Sequence, residues 1–349
     1  MNQYFENLNK TIKEYFKVLS NEIPDFLYDY INTQEMQRIG KIGCGCGTDY
    51  TKIFNNKFYY SNLEHSIGVA LIVWNFTKNK KQTLAGLFHD IATPVFKHCI
   101  DFMNGDHETQ ESTEELTTSI IKNSKEIMAL LERDNIKVEE VDDYHIYPIA
   151  DNDTPKLSAD RLEYTLANGL YFKEIWDVEK IKEIYSNLEV QKNEENIEEL
   201  GFKNKEIAEL FVDGASQLWP LWISNKYKLV MQFFADTVKK MSEKNLLTIK
   251  DLYTLSEQEV IEKIENCKDE NISKCFKLFR NSIDIGESDE PVYDKYCISI
   301  NAKRRYIVPL VETSNSYERI NNISSSAKEQ IDNYLQSKTK KYAYLDFNF

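Results

Sequence analysis

Histidine, proline and glycine are all scarce in this chain. Its 349 residues include only five histidines, seven prolines and eleven glycines. So few helix breakers leave long uninterrupted stretches, which favours helices. The longest apolar run, residues 67–76, is about half the ~20 residues that a membrane-spanning helix needs. The polar residues 1–14 have no apolar signal region. We therefore expect a cytoplasmic protein with no membrane partner.

Positive charge and regularly spaced cysteines are also lacking. The chain has 43 lysines and arginines against 57 acidic residues, a formal net charge of −14. Nucleic-acid-binding surfaces are normally basic, so we expect no nucleic-acid partner, although a local basic pocket could still bind a small anion. The cysteine spacing fits neither a disulfide framework nor a zinc ribbon, which predicts free thiols in a reducing cytosol. The cysteines are Cys44, Cys46, Cys99, Cys267, Cys275 and Cys297.

Apolar residues recur at helical spacing along most of the chain. Leu63, Ile67, Leu71 and Trp74, for example, fall on one face of a helix. The same pattern predicts helices at residues 84–91, 114–131, 156–172, 205–218, 227–241, 257–265 and 324–337. The acidic stretches 138–144 and 189–199 are typical of solvated connections. The sequence thus predicts a mainly α protein.

Residues 293–311 differ from the rest because they contain two strand-like runs, separated by the basic residues 301–305. We predict a small C-terminal antiparallel β element here, with a hairpin as its simplest form. Arg304 and Arg305 are interpreted as a basic turn between strands, with phosphate binding as the alternative. We expect residues 1–280 to form the helical core and residues 281–349 a small β/α extension packed on it.

Four of the five histidines are clustered: His65, His89, His98 and His107. Asp90 directly follows His89. Imidazole nitrogen and carboxylate oxygen together suit a divalent ion such as Fe, Mn, Co, Ni or Zn, with positions left open for water and substrate. The alternative for any one histidine is a hydrogen-bonded group in the core. The fifth, His145, is expected at the surface.

Three segments together carry a family resemblance. Residues 63–70 (LEHSIGVA), 85–98 (AGLFHDIATPVFKH) and 158–164 (SADRLEY) resemble the HD-domain metal-dependent phosphohydrolases. They are most similar to the branch containing the deoxynucleoside triphosphate triphosphohydrolases. The resemblance covers residues ~20 to ~310, and it is dense only in 32–170. It implies an HD-domain helical bundle that binds a divalent ion (Fe, Mn, Co, Ni, Zn or Mg) through His65, His89, Asp90 and Asp160.

The chain departs from the pattern of this branch at three positions. Asn62 stands where the branch usually has an Arg that contacts phosphate, Thr93 where it often has a His, and Asn168 where an Asp is common. These changes remove one cation and one imidazole from the substrate side. The metal ligands are unaffected, so the departures leave the substrate open.

Candidate catalytic residues follow the HD pair in the sequence. By resemblance, His98 and His107 would contact phosphate or protonate the leaving oxygen, work that suits an imidazole near neutral pH. Asp101 lies three residues after His98, so on a helix it could orient that ring. Glu108, beside His107, is a weaker candidate for positioning water. The alternative for both carboxylates is a solvated surface position.

Candidate substrate-binding residues follow Asp160 and recur near residue 227. By resemblance, Arg161 and Tyr164 would face the phosphates and the sugar. Arg161 is a suitable phosphate partner in any case, being permanently charged and fork-shaped, although it could also be a surface residue at a helix start. Lys226 and Tyr227 are candidates for the same pocket.

The resemblance implies a phosphohydrolase that acts on a nucleotide, with a deoxynucleoside triphosphate as the expected substrate, by metal-activated attack of water on phosphorus. Two alternatives stay open. One is a phosphomonoesterase or cyclic-nucleotide phosphodiesterase, and the other is a non-catalytic sensor that binds a nucleotide. Related proteins often assemble, so a homo-oligomer is expected.

Overall fold

The computed structural model describes residues 3–54, 56, 58–110, 112, 116–314 and 316–349. This part of the chain is mainly α-helical, as the sequence predicts. Its helices are α1 Gln3–Asn7, α2 Lys10–Leu19, α3 Asp25–Ile31, α4 Gln34–Ile39, α5 Asn62–Thr77, α6 Lys80–Phe88, α7 His98–Met103, α8 Thr117–Asn123, α9 Lys125–Arg133, α10 Ala159–Ala167, α11 Val178–Ser186, α12 Lys205–Trp222, α13 Asn225–Glu243, α14 Ile249–Leu252, α15 Glu257–Glu265, α16 Glu270–Asn281, α17 Ile320–Ile323 and α18 Ser325–Gln336.

The helix predictions differ from the structure mainly at helix ends. The segment 114–131 forms two helices, because Ser124 ends α8 and caps α9 by accepting a hydrogen bond from the Ile127 backbone. The start of that prediction, residues 114 and 115, lies outside the described residues. The segment 156–172 is α10 followed by a π-helical turn, Asn168–Phe172.

The β structure is larger than predicted and is not a single antiparallel element. The strands are β1 Leu188–Lys192, β2 Glu198–Phe202, β3 Gly286–Ser288, β4 Tyr296–Ile298, β5 Leu310–Glu312, β6 Tyr317–Arg319 and β7 Tyr342–Leu345. One sheet has the order β1-β2-β5-β6 and is mixed, since β2 and β5 are parallel. The other, β3-β7-β4, is antiparallel. The two predicted strand-like runs therefore contribute to different sheets and do not pair as a hairpin.

The acidic stretch 189–199 is a β-hairpin, so its interpretation as a solvated connection was wrong. Glu199 of β2 is fully buried, because Arg319 donates to both of its carboxylate oxygens, at 2.6 and 2.8 Å. The same carboxylate accepts a hydrogen bond from the Leu157 backbone at 3.0 Å. The carboxylate of Glu199, one of the acidic residues that suggested a solvated connection, thus anchors the loop that precedes α10.

The described residues form two hydrophobic clusters. The larger one includes α2, α5, α6, α10, α11, α12 and α18, and the smaller one is built on α7, α13, α15, α16 and the β3-β7-β4 sheet. Tyr227 at the start of α13 contacts both clusters. In the described part of the chain, no helix combines the length and apolar character needed to cross a membrane. All six cysteines are free.

Candidate metal centre and substrate cavity

Three helices of the larger cluster bring the predicted metal ligands together. Helix α5 begins with a capping box formed by Ser61 and Glu64, which fixes its first turn, and His65 follows at once. His89 and Asp90 come directly after α6 ends, and Asp160 lies in the first turn of α10. Helix α5 packs against both α6 and α10. Residues far apart in the sequence therefore meet at one point.

The donor atoms of these residues converge within metal-binding range. His65 Nε2 lies 3.2 Å from His89 Nε2 and 3.1 Å from Asp160 Oδ1, and His89 Nε2 lies 3.7 Å from the same oxygen. All three atoms lie within 4.8 Å of one another. Asp90 Oδ2 adds a fourth donor, 3.5 Å from His89 Nε2 and 3.7 Å from His65 Nε2. The four residues that the resemblance implies as ligands are thus gathered in one place.

The other ring nitrogens fix how the imidazoles are oriented. His65 Nδ1 lies 2.5 Å from Glu163 Oε2, and His89 Nδ1 lies 2.8 Å from the Gly86 carbonyl oxygen. These acceptors hold a proton on each Nδ1, which leaves both Nε2 lone pairs facing each other beside carboxylate oxygens. Imidazole and carboxylate acceptors gathered in this way are the donor set that divalent ions prefer, so the residues fit such an ion. Glu163 was not predicted, although it lies one helical turn after Asp160.

The local charges shift the pKa values of the two imidazoles in opposite directions. Burial alone would lower the pKa of His65, but the carboxylates of Glu163 and Asp160 outweigh it and raise this pKa to about 9. Burial lowers the pKa of His89 below its ordinary value. A proton and a divalent ion therefore compete for His65 Nε2 at neutral pH, whereas His89 is already neutral and ready to bind a metal.

A half-buried lysine, which was not predicted, reaches the same site. Lys97 Nζ lies 2.7 Å from Asp90 Oδ2 and 2.9 Å from Asn62 Oδ1. Burial would lower the pKa of Lys97, but Asp90 outweighs this effect and raises it, so the amine stays charged. Asn62 also donates to Thr93 Oγ1 at 3.1 Å. Two of the three departures from the family pattern are thus in contact beside the metal ligands.

His98 and Asp101 are in contact, as their spacing on α7 suggests. His98 Nδ1 lies 2.9 Å from Asp101 Oδ2, and Asp101 Oδ1 accepts a 2.7 Å hydrogen bond from Ser112. Asp101 is fully buried. Burial, together with the positive charges of Arg305 and Lys97, lowers the pKa of His98. The ring is therefore neutral at pH 7, with Nδ1 bonded to Asp101 and Nε2 left for the cavity.

The structure does not bring His107 and Glu108 to this place. His107 Nε2 lies 3.1 Å from Gln232 Oε1, and its ring packs edge-on against Phe102 at 4.7 Å. Glu108 is exposed, with its carboxylate 3.4 Å from the Asn301 side chain. Within the described part of the chain, neither residue lines the cavity at the metal ligands.

The predicted metal ligands lie in the wall of a cavity of about 500 Å³. Arg161 lines it, but its guanidinium already donates to the Lys156 carbonyl at 2.7 Å and to Asn152 Oδ1 at 2.5 Å. It also lies 3.2 Å from Asp151 Oδ1. This arrangement holds the loop before α10 in place. Arg161 therefore lies where the sequence suggests, with most of its hydrogen bonding used inside the protein.

Aromatic side chains form another part of the cavity wall. Tyr164 and Tyr227 both line it, and the ring of Tyr164 packs edge-on against Trp222 at 5.5 Å. The Tyr144 ring lies 4.9 Å from that of His89. Lys226 points elsewhere, since it pairs with Asp284 at 2.8 Å and is not among the described residues that line the cavity.

Two further residues line the cavity. Arg305, interpreted as part of a basic turn with phosphate binding as the alternative, reaches the cavity from the C-terminal region and donates to Gln110 Oε1 at 2.7 Å. His145 is exposed, as expected, and lies at the cavity rim, 3.5 Å from Asp151 Oδ2. Their positions at the cavity depend on long-range packing, which leaves no local pattern.

Comparisons with known proteins give distant relatives. No protein-family model matches the sequence. The chain is 23% identical over 338 residues to the uncharacterized protein YdhJ of Bacillus subtilis, covering 93% of this chain and 95% of YdhJ. It is 24% identical over 162 residues to the metal-dependent phosphohydrolase cns2 of Cordyceps militaris, covering 46% of this chain and 45% of cns2.

Two solved structures share the fold over nearly the whole chain. One is a hypothetical protein from Aquifex aeolicus, with a TM-score of 0.63, 16% identity and 92% of both chains covered. The other is a phosphohydrolase from Bacteroides thetaiotaomicron, with a TM-score of 0.63 and 14% identity, covering 94% of this chain and 96% of that one. A solved structure described as a phosphohydrolase therefore has the same overall fold as this chain.

Proposed function

We propose that this chain is a metal-dependent phosphohydrolase of the HD-domain type. The observation that carries the proposal is the convergence of His65 Nε2, His89 Nε2 and Asp160 Oδ1, with Asp90 beside them, in the wall of a cavity. The similarity to cns2 and the fold shared with the phosphohydrolase from Bacteroides thetaiotaomicron support it. A divalent ion held there would offset charge on phosphoryl oxygens and lower the pKa of water.

The residues around the proposed ligands orient the imidazoles and transfer protons. Glu163 and the Gly86 carbonyl hold the two imidazoles with Nε2 toward the ion. Asp101 accepts the Nδ1 proton of His98, so that His98 Nε2 accepts a proton from the attacking water or returns it to the leaving oxygen. His98 is half-buried and lines the cavity, where it can meet a bound substrate.

We further propose a nucleotide, with a deoxynucleoside triphosphate as the first candidate, as the substrate. The cavity volume of about 500 Å³ falls in the usual range for small-molecule sites, roughly 300–1,000 Å³. Lys97 and Arg305 supply positive charge for phosphates, while Tyr164, Trp222 and Tyr227 supply apolar surface for a base or sugar.

A phosphomonoester or cyclic nucleotide is the second candidate. The hydrogen bond between Asn62 and Thr93 favours it, because these two neutral side chains occupy positions where the triphosphohydrolase branch usually has Arg and often has His. Fewer positive groups on the substrate side fit a substrate with fewer negative charges.

The test is hydrolysis by purified protein loaded in turn with Mn²⁺, Fe²⁺, Co²⁺, Ni²⁺, Zn²⁺ and Mg²⁺. The substrates are deoxynucleoside triphosphates, nucleoside monophosphates and cyclic nucleotides, with Asp160→Asn as the matched inactive control. Turnover of one class by the wild type alone supports the proposal and selects between the two candidates. Bound metal without turnover of any compound contradicts it, and stabilisation by a nucleotide that is not consumed would then indicate a sensor.

A further inference from the structure

The turn that precedes α7 directs a lysine into the cavity. Phe96 and Lys97 both have a positive φ, of 66° and 48°. Neither is glycine, so this conformation persists only where the surroundings impose it. The Lys97 side chain is 13% exposed. The turn therefore fixes the direction of a positively charged side chain that is mostly withdrawn from solvent.

Contacts from the smaller hydrophobic cluster impose the turn. The carboxylate of Glu257 accepts hydrogen bonds from the backbone N–H of Phe96 at 3.2 Å and of Gly43 at 3.0 Å. The Val95 backbone donates to the Leu252 carbonyl at 2.9 Å. The Phe96 ring packs against Phe234 with centroids 4.4 Å apart. Because the Phe96 ring is fixed within this cluster, the side chain of Lys97 points toward the proposed metal ligands.

The ammonium of Lys97 is only partly satisfied by the protein. It has three N–H donors, and its described acceptors are Asp90 Oδ2 at 2.7 Å and Asn62 Oδ1 at 2.9 Å. The side chain is partly exposed and lines the cavity, so its third N–H is available to a partner there. Asp90 Oδ2 faces both this ammonium and the two imidazoles. The Asp90 carboxylate therefore lies between the Lys97 ammonium and the proposed metal position.

We propose that Lys97 binds a phosphoryl oxygen of the substrate and acts as a fixed second cation beside a single metal ion. The inference rests on the proposed function and adds a specific substrate contact to it. Two positive centres can hold two oxygens of one phosphoryl group, as paired metal ions do elsewhere. Here the chain itself supplies one of them. The occupant recognised is thus a phosphate group, whatever it is attached to.

The test uses metal-loaded full-length protein and inorganic phosphate as the probe. Calorimetry should give phosphate affinity at least about tenfold weaker for Lys97→Met than for the wild type, as expected for loss of a charged hydrogen bond. Lys97→Arg keeps the cation and should retain more affinity than Lys97→Met. Lys180→Met, a surface lysine paired with Glu183, is the matched control and should bind phosphate like the wild type.

Metal analysis and circular dichroism on the same samples separate the possible failures. The inference requires Lys97→Met to stay folded and to keep its metal at the wild-type ratio. Wild-type phosphate affinity in that variant would overturn it, and so would loss of the metal, which would make Lys97 a support for Asp90. If Lys97→Met misfolds, Lys97→Gln is measured instead, and its metal content and phosphate affinity are judged in the same way. Wild-type protein that binds no metal would instead overturn the proposed function.

Discussion

Glu163 Oε2 lies 2.5 Å from Nδ1 of His65, and this contact orients the first of the proposed metal ligands. The carboxylate is itself fixed, because Tyr60 donates to its other oxygen at 2.6 Å and Tyr15 does so at 3.1 Å. Glu163 is fully buried. A chain of hydrogen bonds thus runs from the core of the helical body to the metal position.

Glu163→Gln should weaken metal binding while leaving every ligand in place. The amide is neutral, so it binds the His65 Nδ1 proton more weakly than a carboxylate does and leaves the ring less basic. Loss of such supporting contacts usually costs about 10–100-fold in metal affinity. Competition with a chromophoric chelator measures the effect. Tyr15→Phe, which removes a donor to the same carboxylate, should change affinity much less, and equal losses in both variants would contradict this assignment.

Gly68→Ala should act on the same contact from the neighbouring helix. A Cβ atom at Gly68 would lie 2.7 Å from Glu163 Cγ and Oε1, too close for either group to stay in place. We expect Glu163 to move and metal affinity to fall, although Gly68 contributes no ligand. The chelator competition above measures it. Wild-type affinity in a folded Gly68→Ala variant would show that Glu163 tolerates displacement.

His98→Gln should lower kcat without removing the metal. His98 is held by Asp101 at 2.9 Å and is not one of the proposed ligands, so only proton transfer should be affected. General acid–base groups typically contribute about 10²–10⁴-fold to the rate. Steady-state kinetics and metal analysis on one preparation test this. Loss of bound metal in His98→Gln would instead make His98 a ligand.

Removing the metal should destabilise the protein. An ion that binds only the folded state stabilises it by mass action, by about 2.7 kcal/mol when its free concentration is a hundred times Kd. Differential scanning calorimetry should therefore give a lower Tm after treatment with a chelator, restored by adding the ion back. His89→Ala provides the control, because it should have a low Tm that the chelator does not change further.

Glu257 should make stability depend on pH. Burial raises the pKa of this carboxyl from 4.5 to about 8. The folded state therefore holds a proton that the unfolded state has lost, and this contribution to stability, present below pH 4.5, disappears as the pH rises toward about 8. Urea unfolding between about pH 5 and about pH 9 should show a smaller decline for Glu257→Gln than for the wild type. Parallel declines would contradict the shifted pKa.

The sequence predicts the helices and most of the proposed metal ligands for the same physical reason. Local pattern marks the helices by their apolar spacing and part of the proposed metal site by an unusual cluster of histidines with Asp90, whereas Asp160 is implied by the family resemblance. The β1-β2 hairpin was missed because its acidic residues look solvated, whereas the distant Arg319 neutralises a buried Glu199. A pairing of that kind leaves no local signal.

The supporting residues of the site show the same limit. Glu163 looks like any acidic residue on a helix, although its position three residues after Asp160 places both on one face. Lys97 has no periodic signal, and its direction depends on a turn held by Glu257 from another part of the chain. Arg305 lies in an irregular stretch that reaches the cavity through the fold alone.

The order of residues along the chain has a consequence for how the protein matures during synthesis. All four metal ligands emerge from the ribosome before the strand β2, whereas β5, its parallel partner, and Arg305 emerge much later. Parallel pairing across such a distance closes a long loop and forms slowly. A nascent chain can therefore gather its metal ligands well before the cavity around them is complete.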